Sequence, residues 1–381
     1  MSNSYFGDEN KYVSMFLRGE QVNYKGWNQL VEERFAKLYD IPYAITFNSG
    51  TSTLHSALTA FGCGEGDEVI MPALTVGMDA MAILQTGATP VFADINPHYF
   101  TITPNSIRER ITKKTKAIVT VSLYGCPPDM DEIMKIAREH DLFVLEDNAQ
   151  SMLNYYKGKK VGTIGDVASY SFEESKILNC GEGGINITKN PSLALAIRKH
   201  GGLGYRSLTP TEGRPKVDKN VFQHPTYRRH DVVGFNYRLS EIQAALVLGQ
   251  IVNVHTLVNA RTLAAIAYER AIKETDCSFL TPMFVPNDRT CSYWAYPVVL
   301  DTNKVSWDDF REVWLENGGN GFYASWQVAY NEPFMFGEDF SRCPIAEELQ
   351  PKLMQFKTDY YQYYELEDIH DILEMTIRKF Q

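Results

Sequence analysis

Apolar and polar positions along the first half of the chain follow two alternating periods. Residues 27–39, WNQLVEERFAKLY, place apolar side chains three and four apart, which predicts an amphipathic helix. Tyr43–Phe47 is a short apolar run, predicted as a strand, that ends in Asn48-Ser49-Gly50-Thr51 before a second helical pattern. Beyond it the same units repeat, with strands predicted at Glu68–Met71, Pro90–Ala93, Ala117–Leu123 and Leu142–Glu146. Helices are predicted between them at Gly77–Gln85, Ile107–Thr112 and Met130–His140. Alternating β and α units of this length imply an α/β domain built on a mostly parallel sheet covered on both faces.

After Gly158 the pattern shifts to short strands, Val167–Phe172 and Gly184–Thr188, flanking the irregular segment SKILNCGEG. Residues 203–235 carry little periodicity and several prolines and basic residues, and read as a long exposed excursion. Ser240–Val254 resumes as an apolar helix, and a strand at Ser292–Leu300 with helices near Trp307–Glu316 and Ile369–Lys379 fits a smaller α+β domain. The expected division is a large domain over residues 20–250 and a small C-terminal domain over 251–381, with residues 1–19 packing against the latter.

Composition narrows the function classes. The chain has 381 residues, 44% hydrophobic and 22% charged, enough to bury a full core. Thirty-seven basic against 47 acidic residues give a net charge of −10, which argues against a phosphate-backbone binder, so nucleic acid is not an expected partner. No run of about 18 apolar residues exists, and the start has neither a basic n-region nor an apolar h-region, so a soluble, cytoplasmic protein without a membrane partner is expected. Six scattered cysteines lack CxxC spacing and eight dispersed histidines lack HxxxH or HExxH spacing; reduced thiols and no metal site are expected.

Three segments could carry chemistry. Ser49-Gly50-Thr51 at a strand-to-helix junction offers unpaired N–H groups, hydroxyls and a positive dipole end to a phosphate, although the same residues serve equally as a plain N-cap. No Walker lysine follows and no GxGxxG exists, while the glycines of Gly62-Cys63-Gly64-Glu65-Gly66 follow a helix and read as a C-cap. That weighs against a nicotinamide oxidoreductase. Glu146-Asp147 ends a predicted strand, where ligands of parallel sheets bind, and Asp147 is the better placed acid. Lys176 lies in an apolar, glycine-rich surround that would favour a neutral, nucleophilic amine, although an exposed loop lysine is the commoner case. A phosphate cradle, a carboxylate for a pyridinium nitrogen and an amine for an aldehyde are together the three needs of pyridoxal phosphate.

The segments LEDNAQS (145–151), YKGKKVGTIGDVASYSFEESKILNCGEGGINIT (156–188) and GFNYRLSEIQAAL (234–246) resemble the StrS/DegT family of sugar aminotransferases, which are fold type I pyridoxal phosphate enzymes. GEGDEVIMPALT, GATPVFADI, KTKAIVTVSLYGCPPDMDEI and CPIAEELQ extend the likeness in order over nearly the whole chain. The resemblance implies that Lys176 forms the Schiff base and moves protons, and that Asp147 holds the pyridine nitrogen protonated. It implies that Gln150 lies against the ring near its phenolic oxygen, and that Ser49, Gly50, Thr51 and Ser171 cradle the phosphate. It further implies that Asn236 reaches the phosphate of a neighbouring subunit, hence a homodimer with shared active sites.

The implied reaction moves an amino group from L-glutamate, or glutamine, to a keto-sugar, most often nucleotide-linked, in surface-polysaccharide or secondary-metabolite biosynthesis, with pyridoxamine phosphate in the alternate half-reaction. A small phosphorylated ketone such as a triose phosphate, or an inosose, is the alternative acceptor; a pyridoxal-phosphate-binding protein without transaminase activity is the further alternative. The chain departs from the family pattern at Val76, where relatives place a ring-stacking aromatic, and at Glu173 and Glu174 after Ser171-Phe172. A third departure, Lys357, either binds an acidic substrate group or sits on the surface.

Overall fold

The computed structural model describes residues 8–20, 26–213, 217–335, 341–360 and 362–381. A seven-stranded sheet carries the large domain: β1 (Tyr43–Phe47), β2 (Glu68–Pro72), β3 (Thr89–Ala93), β4 (Thr115–Val121), β5 (Phe143–Asp147), β6 (Val167–Ser171) and β7 (Gly184–Thr188). Its order is β1-β7-β6-β5-β4-β2-β3, parallel throughout except that β7 runs antiparallel to both neighbours. β1, β5 and β6 therefore end at the same edge. Their inner positions are almost wholly buried because helices cover both faces, so burial runs continuously along each strand rather than alternating.

The longer helices of this domain are α1 (Asp8–Leu17), α2 (Trp27–Tyr39), α3 (Gly50–Ala60), α4 (Met78–Gln85), α5 (Pro104–Arg110), α6 (Met130–Glu139), α7 (Pro191–Gly201) and α8 (Glu241–Ile251), with one short helix, Lys219–Gln223, in the 203–235 excursion. α1 corrects one expectation. Its described residues pack on α8 rather than on the C-terminal domain: Gly249 has no room for a Cβ, which would meet the Glu9 backbone at 2.6 Å, and Tyr12 and Phe16 meet Trp27 edge-on. The reason is that the apolar side chains of Tyr12, Val13 and Phe16 complete the core around Trp27 and Leu248.

The helix expected over Ser240–Val254 is in fact two, since Asn253 interrupts it and the chain bends by 66° into α9 (Val254–Glu274). α9 begins in the core of the large domain with Val254 and Leu257, and ends in the C-terminal core with Ala264, Tyr268 and Ile272. There an antiparallel sheet of β8 (Leu280–Pro282), β9 (Ala295–Leu300), β10 (Phe322–Ala324) and β11 (Leu353–Lys357), ordered β8-β9-β11-β10, packs with α10 (Trp307–Glu316) and α11 (Tyr363–Arg378). The 203–235 excursion returns along α7, through bridges Gly202–Asn236 and Tyr205–His230, and leaves Val232, Val233 and Phe235 exposed. Among the described residues no single helix is long and apolar enough to cross a membrane.

Candidate active site

The common edge of β1, β5 and β6 gathers Ser49, Gly50, Thr51, Asp147 and Ser171 of the residues that the sequence singles out. β1 runs into Ser49, whose extended backbone and hydroxyl cap α3: Ser49 Oγ accepts from Ser52 N at 3.1 Å. The plain capping role is therefore real. It also leaves the α3 N-terminus facing Ser171 at the end of β6, since a Cβ on Gly50 would lie 2.9 Å from Ser171 Cβ and 3.0 Å from its Oγ. Gly50 is thus required by close approach, and Ser49, Gly50, Thr51 and Ser171 form one polar, partly buried corner at a positive helix end.

Asp147, the last residue of β5, is 7% exposed, and its Oδ1 accepts from Ala149 N at 2.9 Å. Burial raises its carboxyl above the usual aspartate range, opposed by that N–H and by the charge of Lys176. The adjacent Glu146 serves structure instead. It points to the other side of the strand and accepts from the N–H groups of Gly162, Ile164 and Gly165 at 2.6–2.8 Å, fixing the loop before β6. Gln150 is buried and its Oε1 accepts from Tyr124 N at 2.7 Å.

Lys176 sits in a turn whose shape is set by its neighbours. Glu173 Oε2 accepts from Ser175 N and Ser175 Oγ at 3.1 and 2.6 Å, and Lys176 N donates to Glu173 O at 3.0 Å. The Glu173 carboxylate is thus occupied within its own turn, and Glu174 is exposed. Burial holds the Lys176 ammonium below the ordinary lysine range, while Glu173 and Asp147 pull the other way. Over the amine lies Trp294, its ring centre 4.5 Å from Nζ. Trp294 stacks on Trp326, and Trp326 on Tyr124, at 5.7 and 6.0 Å between centroids, giving an aromatic wall that leads away from the lysine.

The remaining candidates divide. Asn236 is exposed; its bridge to Gly202 and the bond from Asn48 N to Tyr237 O at 2.7 Å put its segment next to the β1–α3 junction, but no bond of its side chain joins it to the corner among the described residues. Lys357 pairs with Asp359 at 3.5 Å and packs along Gly321, both in the C-terminal domain. Val76 is half-buried and brings no ring to the site.

Residues that sequence reasoning missed are Asp79, Trp294, Trp326, Tyr124 and Arg261. Arg261 is buried and donates to Trp294 O, Thr358 Oγ1 and Ser175 O at 2.9, 3.2 and 3.2 Å, tying α9 to the lysine turn and the small sheet. No local spacing announces such a contact. Away from this site, Glu274, His370 and Glu374 bring ligand atoms within 4.8 Å of one another, a grouping with neither HxxxH nor HExxH spacing. His370 there is already bonded to Glu274 and to Asp371, each at 2.9 Å.

The model of the DegT/DnrJ/EryC1/StrS aminotransferase family matches residues 5–374. The chain belongs to that family. It is a pyridoxal-phosphate-dependent aminotransferase. Among its relatives, GDP-perosamine synthase of Escherichia coli O157:H7 is 34% identical over 349 residues, covering 91% of this chain and 89% of that one. The spore coat polysaccharide biosynthesis protein SpsC of Bacillus subtilis is 35% identical over 279 residues, 73% of this chain and 69% of that one. The L-glutamine:2-deoxy-scyllo-inosose aminotransferase of Streptomyces kanamyceticus is 33% identical over 287 residues, 74% of this chain and 64% of that one. The aminotransferase structure from Psychrobacter cryohalolentis superposes with a TM-score of 0.87 at 29% identity, covering 99% of this chain and 98% of that one.

The residues of this aminotransferase fit the cofactor that the family implies. The Gly50–Ser171 corner has no space for a side chain at Gly50 yet presents hydroxyls and helix-end N–H groups, as a phosphate requires. Asp147 is a buried carboxylate whose charge is answered only in part by Ala149 N–H and Lys176. A cationic ring nitrogen would complete that balance.

Proposed function

We propose that this aminotransferase takes its amino group from L-glutamate or glutamine and delivers it to a keto-sugar, most simply a nucleotide-linked one, for surface-polysaccharide or secondary-metabolite biosynthesis. The observation that carries the reading is the convergence of Lys176, Asp147 and the Gly50–Ser171 corner on one sheet edge; the names of the relatives supply the acceptor class. The inosose aminotransferase among them supports a cyclitol ketone as the second reading.

Ser49, Gly50, Thr51 and Ser171 would hold the phosphate, Asp147 the ring nitrogen, and Gln150 the ring face through the amide group not engaged with Tyr124. Pyridoxal phosphate, when bound, supplies an electrophilic aldehyde and an electron-poor ring, and alternates with pyridoxamine phosphate. Lys176 Nζ does the proton work: burial favours its neutral form, which accepts a proton from the donor carbon and returns one to the acceptor carbon. Trp294 covers the amine on one side and is backed by Trp326. The exposed Val232, Val233 and Phe235 beside Asn236 support a homodimer in which Asn236 completes the partner's phosphate corner.

The test is visible absorbance of the protein with pyridoxal phosphate, titrated with L-glutamate and then with L-glutamine, beside Lys176→Ala. Bleaching in the wild type, none in the variant, and recovery of the band on adding a nucleotide-linked keto-sugar is the expected result. A band indifferent to every amino acid overturns it.

A further inference from the structure

α4 brings into the site a second buried acid that the reaction just described does not use. Asp79 is 2% exposed, and its Oδ2 accepts from Thr75 Oγ1 at 3.1 Å. Its Oδ1 is buried and meets no donor among the described residues. What stands beside it is the carboxylate of Asp147, within hydrogen-bonding reach. Two carboxylates cannot bond to each other unless one of them carries a proton, and two ionised acids side by side in a dry interior are strongly unfavourable.

The surroundings decide which acid keeps the proton. Asp147 receives the Ala149 N–H at 2.9 Å, which favours its ionised form, and is favoured further by Lys176 whenever that amine carries its proton. Asp79 has one neutral hydroxyl, from Thr75, and faces the negative charge of Asp147; among the described residues no cation pairs with it. Burial and that neighbouring charge push the Asp79 carboxyl well above the usual aspartate range.

We propose that Asp79 is a positioning residue that stays protonated and donates its hydrogen to Asp147, so that the pair carries a single negative charge placed on Asp147. This rests on reading Asp147 as the partner of the cofactor's ring nitrogen. The donated hydrogen bond makes Asp147 a weaker base than a lone buried aspartate. With pyridoxal phosphate bound, a weaker base at Asp147 would leave the shared proton on the ring nitrogen, where it favours catalysis.

The test compares Asp79→Asn, which still donates a hydrogen bond but does not titrate, with Asp79→Leu, which does neither. The first readout is thermal unfolding of the full chain, before cofactor is added, from pH 4 to pH 8. An acid whose folded value is raised costs stability as pH rises above its unfolded value, so the advantage of Asp79→Asn over wild type should grow with pH across this range. The second is the loaded enzyme: Asp79→Asn should keep turnover within a few-fold and leave the pH midpoint of the visible band near that of wild type. Asp79→Leu should lose about 10- to 100-fold in kcat and move that midpoint. A stability difference that is the same at every pH, or an Asp79→Leu enzyme with an unshifted band, overturns the proposal. Because unfolding requires no turnover, failure to aminate any keto-sugar would strike the proposed function without touching this result.

Discussion

Lys176 and Trp294 are joined twice: the indole ring lies 4.5 Å from the lysine Nζ, and the indole N–H donates to the carbonyl of Ser175, one residue before the lysine, at 2.9 Å. The ring face attracts the ammonium form, while the N–H fixes the turn that aims the side chain. Trp294→Phe keeps a ring and loses the N–H bond, and should lower kcat about tenfold. Trp294→Ala loses both and should lower it further. Single-turnover bleaching with L-glutamate checks the order of the three enzymes.

A buried ion pair ties α2 to α7. Arg198 donates to both oxygens of Glu32 at 3.1 and 2.9 Å, and Glu32 also accepts from Thr46 N and Oγ1. Removing one partner leaves the other charged and dry, so Glu32→Gln should cost about 3–5 kcal/mol, read from denaturant unfolding. Replacing both with apolar residues of matching volume should cost much less.

His55 and His200 meet edge to face at 4.8 Å between α3 and α7, and Ser56 Oγ lies 2.9 Å from His200 Nδ1. Burial, with His55 adding to it, lowers His200 to about 4. The folded chain therefore resists a proton that the unfolded chain takes up near pH 6.5. Stability should be unaffected above pH 6.5 and fall as pH drops toward 4, by about 2 kcal/mol after allowing for solvent screening. His200→Asn should flatten the decline in a series of melting temperatures.

Gly50→Ala sets a methyl 2.9 Å from Ser171 Cβ, closer than such atoms approach. The strand end and helix start must move apart, at a cost of about 1–3 kcal/mol, in the corner assigned to the phosphate. Cofactor affinity, followed by quenching of tryptophan fluorescence, should weaken while the far-ultraviolet circular dichroism stays unchanged.

Much of the fold was legible in sequence because strand and helix periods in an α/β domain are local. β1, β5, β6 and β7 all fall where apolar runs predicted strands. The C-terminal sheet was not legible apart from β9, since its other strands are three to five residues long and are recruited by packing on α9 and α11 rather than by pattern. Lys176, Asp147 and the Ser49–Thr51 turn could be singled out because each has its own local context. Asp79 could not, as it looks like an ordinary acid in the first turn of a helix until β5 sets Asp147 beside it. Trp294 and Arg261 depend likewise on contacts 119 and 86 residues away in sequence.

The 21 residues of α9 make a rod about 32 Å long whose two ends are anchored in different cores. Arg261, a third of the way along, grips the carbonyls of Ser175 and Trp294. The rod therefore joins the C-terminal core to the lysine turn through one buried guanidinium, so the placing of Ser175 depends on residues more than 80 positions away in the chain.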